Sequence, residues 1–143
     1  MFSLDENFEK TSRRIVQYQS VSGPVFDCRM VDDARYFWVL IIPEVADVEE
    51  IHDLPQPVWA ELSQLTWHLS AALKTATTAT SINTAAIGNV VRMLHMHIVA
   101  RHHGDEAWPQ PVWGRGAPTP MTRTIATWRD AVIRDALASF KVM

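Results

Sequence analysis

Several features are scarce in this sequence, and each scarcity argues against a class of protein. A single cysteine, Cys28, excludes an internal disulfide, and no N-terminal basic-then-apolar segment directs secretion, so we expect a cytoplasmic protein. The net charge is −3, and the 13 basic residues are scattered, which gives no surface for a nucleic acid. The longest apolar run, 37–43, is far shorter than the roughly 20 residues that cross a bilayer, so we expect no membrane span.

The length of 143 residues is that of one domain with a single hydrophobic core. Neither an internal repeat nor a low-complexity linker divides the chain. We therefore expect one domain over residues 1–143.

Four segments have the pattern of β-strands. Apolar and polar residues alternate over 26–30, which is the period of a half-buried strand. The run 37–42 is rich in branched and aromatic residues and is followed by a proline, so it predicts a strand that pairs with the preceding one as a hairpin. The segments 81–86 and 93–101 predict two further strands.

Three other segments have helical patterns. A capping box of Ser3 and Glu6 predicts a short first helix, whose apolar spacing continues to Ile15. Apolar residues three and four positions apart predict a helix of about five turns after Pro57 and a last helix that begins at 119–120. This order of elements predicts an α+β domain in which helices cover a mostly antiparallel sheet.

The reactive side chains are concentrated in the predicted strand 93–101. Alternate residues of a strand face opposite sides of its sheet, so His95 and His97 share one face. The other face is apolar and packs under the helices; its residues are Leu94, Met96 and Ile98. An imidazole can attack phosphorus, move protons or bind a metal near neutral pH, so this pair is a candidate site.

The histidine pair has three interpretations when it is considered alone. The two residues are ordinary polar side chains on the exposed face of a strand, or they carry out chemistry at a reactive site. In the third interpretation they hold zinc together with His102, His103 or Asp105, in a site with one open position. No third ligand stands at a characteristic spacing, and two adjacent histidines on a polar turn are typical of a solvated loop.

Three separated segments resemble the histidine-triad family and occur in its order. Residues 83–101 read NTAAIGNVVRMLHMHIVAR. The family has an asparagine or glutamine, a short loop, glycine-glutamine, and three histidines that alternate with hydrophobic residues on one strand. Gly88 matches the glycine, and His95 and His97 match the second and third histidines. Residues 107–114, AWPQPVWG, and 32–38, DDARYFW, resemble those of a bacterial branch of the same family.

Three positions depart from the family pattern. Met93 replaces the first histidine, Asn89 replaces the glutamine, and Val90 replaces the hydroxyl residue that often follows that glutamine. In the family the middle histidine becomes covalently nucleotidylated, and that position is kept as His95. The resemblance therefore implies a nucleotide hydrolase or nucleotidyl transferase. It makes one hydrogen bond to the phosphate fewer than family members that have the hydroxyl residue.

The resemblance also implies a mechanism that needs no cofactor and no metal. The substrate is a nucleoside phosphoramidate or a dinucleoside polyphosphate. His95 attacks the α-phosphorus through one ring nitrogen, while its other nitrogen donates to a backbone carbonyl. His97 donates a hydrogen bond to a phosphate oxygen or to the departing group, and Asn89 and backbone amides near Gly88 hold the remaining oxygens.

The family builds its nucleoside pocket from the early hairpin. Asp32 is the candidate for the ribose hydroxyls, and Asp33 is the alternative. Met30 and Cys28 either line the base pocket or belong to the core. Asn83 either touches the phosphate or leaving group, or it stands at a turn because asparagine tolerates left-handed backbone.

A loop rich in proline and tryptophan follows the histidine strand. Trp108 and Trp113 form a lid, a wall that faces the substrate or part of a subunit contact. Family members are typically homodimers, and a second copy would shelter an edge strand of the sheet. We therefore expect a homodimer. We expect its binding partner to be a small-molecule nucleotide.

Two other functions compete with the hydrolase. One is a nucleotide-binding sensor or regulatory module that keeps the pocket without efficient turnover. The other is a small metalloenzyme built on the histidine pair. Turnover separates the hydrolase from the sensor, whereas bound zinc and loss of activity on chelation would identify the metalloenzyme.

Overall fold

The computed structural model describes residues 1–143 and contains one five-stranded antiparallel sheet in the order β1-β2-β3-β5-β4. The strands are β1 (Ser12–Gln19), β2 (Val25–Val31), β3 (Phe37–Pro43), β4 (Ser81–Ala86) and β5 (Met96–Arg101). The helices are α1 (Glu6–Thr11), α2 (Gln56–Thr77) and α3 (Arg123–Ser139), with one short 3-10 turn at Ile51–Asp53. The α+β architecture predicted from the sequence, an antiparallel sheet covered by helices, is confirmed. No helix has the length and apolar character that would carry it across a bilayer.

The first helix is shorter than the sequence pattern predicts. Asp5, not Ser3, caps α1 by accepting a hydrogen bond from the backbone N–H of Asn7, and the helix ends at Thr11. Ile15 belongs to β1, where it is buried, because pairing along β2 and burial in the core outweigh the local helical spacing. The prediction of helix up to Ile15 was therefore wrong, and β1 was missed.

Two other boundaries also differ from the predictions. The last helix begins at Arg123 rather than at 119–120, because the Thr122 side chain accepts a hydrogen bond from the N–H of Ile125 and so caps α3. Strand β5 begins at Met96 rather than at Met93, since its pairing with β3 starts there.

The main core lies between one face of the sheet and helices α2 and α3. Its largest contribution from one element is an apolar stripe on α2 that faces the sheet: Val58, Leu62, Leu65, Leu69 and Leu73. Cys28 and Met30 point into this core and are fully buried, so they do not line a nucleoside pocket. Burial raises the pKa of the Cys28 thiol to about 12, which leaves it unreactive.

The opposite face of the sheet carries a buried arginine that holds α1 in place. Arg29 forms an ion pair with Asp27 at 3.1 Å and donates to Ser12 Oγ at 2.9 Å. It also donates to the backbone carbonyl of Phe8 on α1. Because buried charges persist only when they are paired and hydrogen-bonded, this network fixes α1 against the sheet.

A second buried arginine holds the loop between β2 and β3. Arg129 of α3 donates to the backbone carbonyls of Asp33 and Tyr36, both at 2.8 Å, and to that of Ala34 at 3.1 Å. One side chain thus satisfies three backbone carbonyls of this turn. The loop that carries Asp32 and Asp33 is therefore tied to α3.

Candidate active site

A cleft of about 500 Å³ opens on the sheet face opposite the main core. Its walls come from α1, the loop after β2, strand β3, the segment before β5 and the loop 112–120. Both histidines of the predicted pair line it, together with Asp32. A concave site of this size, with an apolar floor and a few convergent polar groups, is typical of a small-molecule site.

His95 lies at the cleft with one ring nitrogen already occupied. Its Nδ1 stands 2.6 Å from the backbone carbonyl oxygen of Met93. A carbonyl can only accept, so Nδ1 carries the proton and the lone pair is on Nε2. Burial lowers the pKa of His95, while the Met93 carbonyl opposes this shift. The ring of Phe8 packs edge-on against the imidazole, with 4.9 Å between ring centroids. His95 is thus a neutral imidazole whose Nε2 is unprotonated.

His97 has the opposite arrangement of its two nitrogens. The indole Nε1 of Trp38 stands 3.0 Å from Nδ1 of His97. An indole N–H can only donate, so Nδ1 of His97 must be unprotonated and Nε2 carries the proton. That Nε2 is buried and has no hydrogen-bond partner. Burial, with a smaller contribution from His95, lowers the pKa of His97 to about 3, although the backbone carbonyl of Ile87 opposes the change.

The two adjacent imidazoles therefore carry complementary groups. Their ring centroids are 4.6 Å apart and their planes are nearly perpendicular, at 66°. His95 presents a lone pair and His97 presents an N–H, while both rings are neutral near pH 7. This arrangement can attack an electrophile with one ring and donate a hydrogen bond from the other.

The two adjacent aspartates have different surroundings. Asp32 is exposed in the cleft, and only its Oδ1 is engaged, by the backbone N–H of Met121 at 2.8 Å. Asp33 is buried and accepts hydrogen bonds from the Arg35 side chain and from the backbone of Arg35 and Thr119. Burial raises the pKa of Asp33, but these hydrogen bonds outweigh it and leave the pKa below its ordinary value. Asp32 is thus the carboxylate with a free oxygen for a ligand.

Three other sequence-predicted residues do not line the cleft. Gly88 and Asn89 lie in the loop before it, and Val90 and Val91 form the wall in their place. A Cβ on Gly88 would stand 3.3 Å from two backbone carbonyl oxygens, so this glycine allows a tight loop. Asn83 pairs with Val99 on the sheet face of His97, but its side-chain oxygen accepts a hydrogen bond from Arg101 at 2.9 Å and it does not line the cleft.

The tryptophan loop packs behind the histidines. Trp113 contacts His97 and Trp38 edge-on, at ring distances of 5.2 and 5.8 Å, and does not line the cleft. Trp108 packs against the guanidinium of Arg101 and the ring of His103. Trp113 therefore supports the ring of His97 from the side.

The residues needed for the zinc interpretation do not converge. No three histidine, cysteine or acidic side chains lie close enough together to hold a metal ion. Asp105 forms a buried ion pair with Arg101 at 2.9 Å, and the ring of His102 meets the backbone carbonyl of Thr77. The geometry gives the metalloenzyme no support.

Two residues that shape the site were not singled out by sequence reasoning. Phe8 reaches His95 only because α1 folds back over the sheet. Trp38 reaches His97 through the pairing of β3 with β5, in which Leu40 is opposite His97. The one available signal for Trp38 was its N–H, the only polar side-chain group in the run 37–42.

Comparison with known proteins agrees with this geometry. The family model of the HIT domain matches residues 26–104, which include His95 and His97. The chain therefore belongs to the histidine triad (HIT) family. Among proteins whose function has been curated, none matches this chain in sequence.

Solved structures of HIT proteins match nearly the whole chain. A histidine triad (HIT) protein from Sinorhizobium meliloti is 36% identical with a TM-score of 0.87, over 94% of this chain and 96% of that one. A histidine triad protein from Bradyrhizobium japonicum is 34% identical with a TM-score of 0.88, over 95% and 98% of the two chains. One from Marinobacter aquaeolei is 29% identical with a TM-score of 0.89, over 99% of both.

Proposed function

We propose that this protein binds a nucleotide and hydrolyses or transfers it at the α-phosphate through a covalent nucleotidyl-histidine on His95. The observation that carries the proposal is the pair of opposite tautomers, with a lone pair on His95 and an N–H on His97, 4.6 Å apart between ring centroids. Membership of the HIT family supports the same chemistry. A nucleoside phosphoramidate or a dinucleoside polyphosphate has the leaving group that this reaction requires.

The reaction proceeds in two displacements. Nε2 of His95 forms a bond to phosphorus, and the bond from phosphorus to the leaving group breaks with its electron pair on that group. The N–H of His97 hydrogen-bonds to the departing atom or to a phosphate oxygen, and the departing group takes its proton from water. A second water then attacks phosphorus, releases the nucleoside monophosphate and restores His95.

The rest of the cleft has the chemistry of a nucleoside site. The free oxygen of Asp32 is available to the ribose hydroxyls, which are hydrogen-bond donors. Apolar side chains from three elements, Phe8, Val31 and Leu40, form a surface on which a base can pack. These contacts support a nucleotide over a simple phosphate ester.

Loss of the Asp32 carboxylate is expected to weaken AMP binding. The Asp32→Ala variant should raise the Kd about tenfold or more, because a hydrogen bond to a charged group contributes roughly 1.5–3 kcal/mol. Isothermal titration of AMP measures this change. The matched control is Asp135→Ala, since Asp135 is exposed on α3 away from the cleft. Equal Kd values for wild type and Asp32→Ala would exclude Asp32 from the ribose site.

A nucleotide-binding sensor without turnover is the second candidate. It is favoured by Met93 and Val90, which bring no hydrogen-bond donor to positions where the family has a histidine and often a hydroxyl residue. Both candidates predict AMP binding. Release of AMP from an adenosine phosphoramidate occurs with the first candidate and is absent with the second.

We also propose a homodimer that pairs through β4. This edge strand has no charge and no proline, and it pairs only with β5. The other edge, β1, carries Arg13 and Arg14 and an irregularity after Arg14, which are features that discourage edge pairing. Sedimentation equilibrium should give twice the chain mass of 16.2 kDa. The dimer would be overturned if the mass is that of one chain even at a protein concentration about 100 times that of the activity assay.

A further inference from the structure

The hydrogen bond between Trp38 and His97 bears on which ring nitrogen of His97 carries the proton. A neutral histidine has one ring nitrogen that donates and one that accepts, and either nitrogen can take either role. In this structure Nδ1 of His97 lies 3.0 Å from the indole N–H of Trp38, and the other nitrogen has no partner. The choice between the two tautomers is therefore made by Trp38.

We propose that Trp38 is a positioning residue that holds His97 in the Nε2–H tautomer and keeps that N–H free for the group that leaves phosphorus. Its consequence for turnover depends on the proposed function. The tautomer itself does not, because it follows from the partners of the ring in the structure.

The identity of the donor supports this role. Tryptophan offers one N–H and no acceptor, whereas histidine, asparagine, serine or threonine at this position could donate or accept. A residue of the second kind would leave both tautomers of His97 available. An indole permits only the tautomer in which Nδ1 is unprotonated.

The surroundings hold Trp38 in the orientation that the hydrogen bond requires. Its ring packs edge-on against Tyr36 at 6.5 Å and against Trp113 at 5.8 Å. Cross-strand pairing places Trp38 opposite Val99, beside the Leu40 and His97 pair. The indole N–H therefore has little freedom to turn away from His97.

No carboxylate competes with Trp38 for His97. The groups that face the ring are the indole of Trp38 from β3, the ring of Trp113 from the following loop, the imidazole of His95 from its own segment and the carbonyl of Ile87 after β4. His95 is the only titratable group among them. Trp38 is thus the one side chain among them that donates a hydrogen bond to Nδ1, and the Ile87 carbonyl, which can only accept, favours the same tautomer.

The test is the protonation state of the two His97 nitrogens, observed by long-range ¹H–¹⁵N NMR of the full chain at pH 7. Spectra of wild type, Trp38→Phe and Trp113→Phe are compared, and His97→Gln assigns the signals of His97. We expect wild type and Trp113→Phe to carry the proton only on Nε2. Trp38→Phe should show a substantial population of the Nδ1–H form, because its phenyl ring cannot donate.

The two tryptophan variants are matched. Both replace an indole that touches His97 by a phenyl ring, but only the Nε1–H of Trp38 is hydrogen-bonded to it, since that of Trp113 is buried without a partner. A general packing effect would change both spectra, whereas loss of the donor changes one. A proton on Nδ1 in wild type, or an unchanged tautomer in Trp38→Phe, would overturn the proposal.

Kinetics then connect the tautomer to turnover. With an adenosine phosphoramidate, Trp38→Phe is expected to lower kcat by about tenfold to a hundredfold, because a misdirected donor loses part of the 10²–10⁴-fold effect of acid–base groups. Its KM should stay within about threefold of wild type, since the base and ribose contacts are unchanged. If wild type releases no AMP, the proposed function fails while the NMR result still decides the role of Trp38.

Discussion

Replacing His95 by alanine is expected to abolish turnover of an adenosine phosphoramidate, with a fall in kcat of roughly 10³-fold or more, because the nucleophile of a covalent mechanism is removed. AMP affinity should change little, because the proposed ribose and base contacts lie on other elements. Initial rates of AMP release, together with isothermal titration of AMP, separate these two effects.

His52→Ala is the matched control for this variant. His52 is exposed on the short turn Ile51–Asp53, and it does not line the cleft. Its rate should equal that of wild type. Residual activity of His95→Ala within about tenfold of wild type would contradict nucleophilic catalysis by this residue. If wild type binds AMP but releases none from the substrate, the protein is a nucleotide-binding sensor.

The stability of the fold is expected to fall as the pH is lowered from about 6.5, and His97 accounts for much of the fall. The pKa of His97 is about 3 in the folded chain against 6.5 for an exposed histidine. Between these values the unfolded chain binds a proton that the folded chain does not, so the free energy of unfolding decreases as pH falls. The loss from one such proton is about 2 kcal/mol between pH 6.5 and 4.5.

The variant His97→Gln isolates this contribution. Its amide keeps an acceptor for the Trp38 N–H and a donor toward the cleft but does not titrate. Urea unfolding at several pH values gives the free energy of unfolding as a function of pH. The slope for His97→Gln should be smaller than that for wild type by the equivalent of about one proton, whereas the slope for His52→Gln should equal that for wild type. Measurements are made above pH 4.5 so that the carboxylates of Asp33 and Asp105 stay charged in the folded chain, because their pKa values lie below the ordinary value. Parallel curves for His97→Gln and wild type would show that His97 is not buried as a neutral ring.

The elements with a clear period were predictable from the sequence. The stripe on α2, the alternation of β2 and the apolar run of β3 appear in the structure where the pattern placed them. Strand β1 was not predictable in the same way, because its residues continue a helical spacing and become a strand only by pairing with β2. Local pattern and long-range pairing conflict at this segment, and pairing decides the outcome.

The site also has some features that local sequence predicts and others that depend on tertiary contacts. The two-residue period of a strand predicts a shared side for His95 and His97, and the structure has both at the cleft with Leu94 and Met96 in the core, although His95 lies just before β5. The choice between Asp32 and Asp33 depends on Arg35, which engages only the second carboxylate. The tautomer of His97 depends on the register of β3 against β5, which local sequence patterns do not specify.

The most direct test of the central claim is to look for the nucleotidyl group on His95 itself. Wild-type protein is mixed with an adenosine phosphoramidate, quenched at alkaline pH on the time scale of one turnover and digested for mass spectrometry. We predict one transient adenylyl adduct on the peptide that contains His95, formed at least as fast as AMP is released. AMP release without any adduct, or with the adduct on another residue, would contradict nucleophilic catalysis by His95.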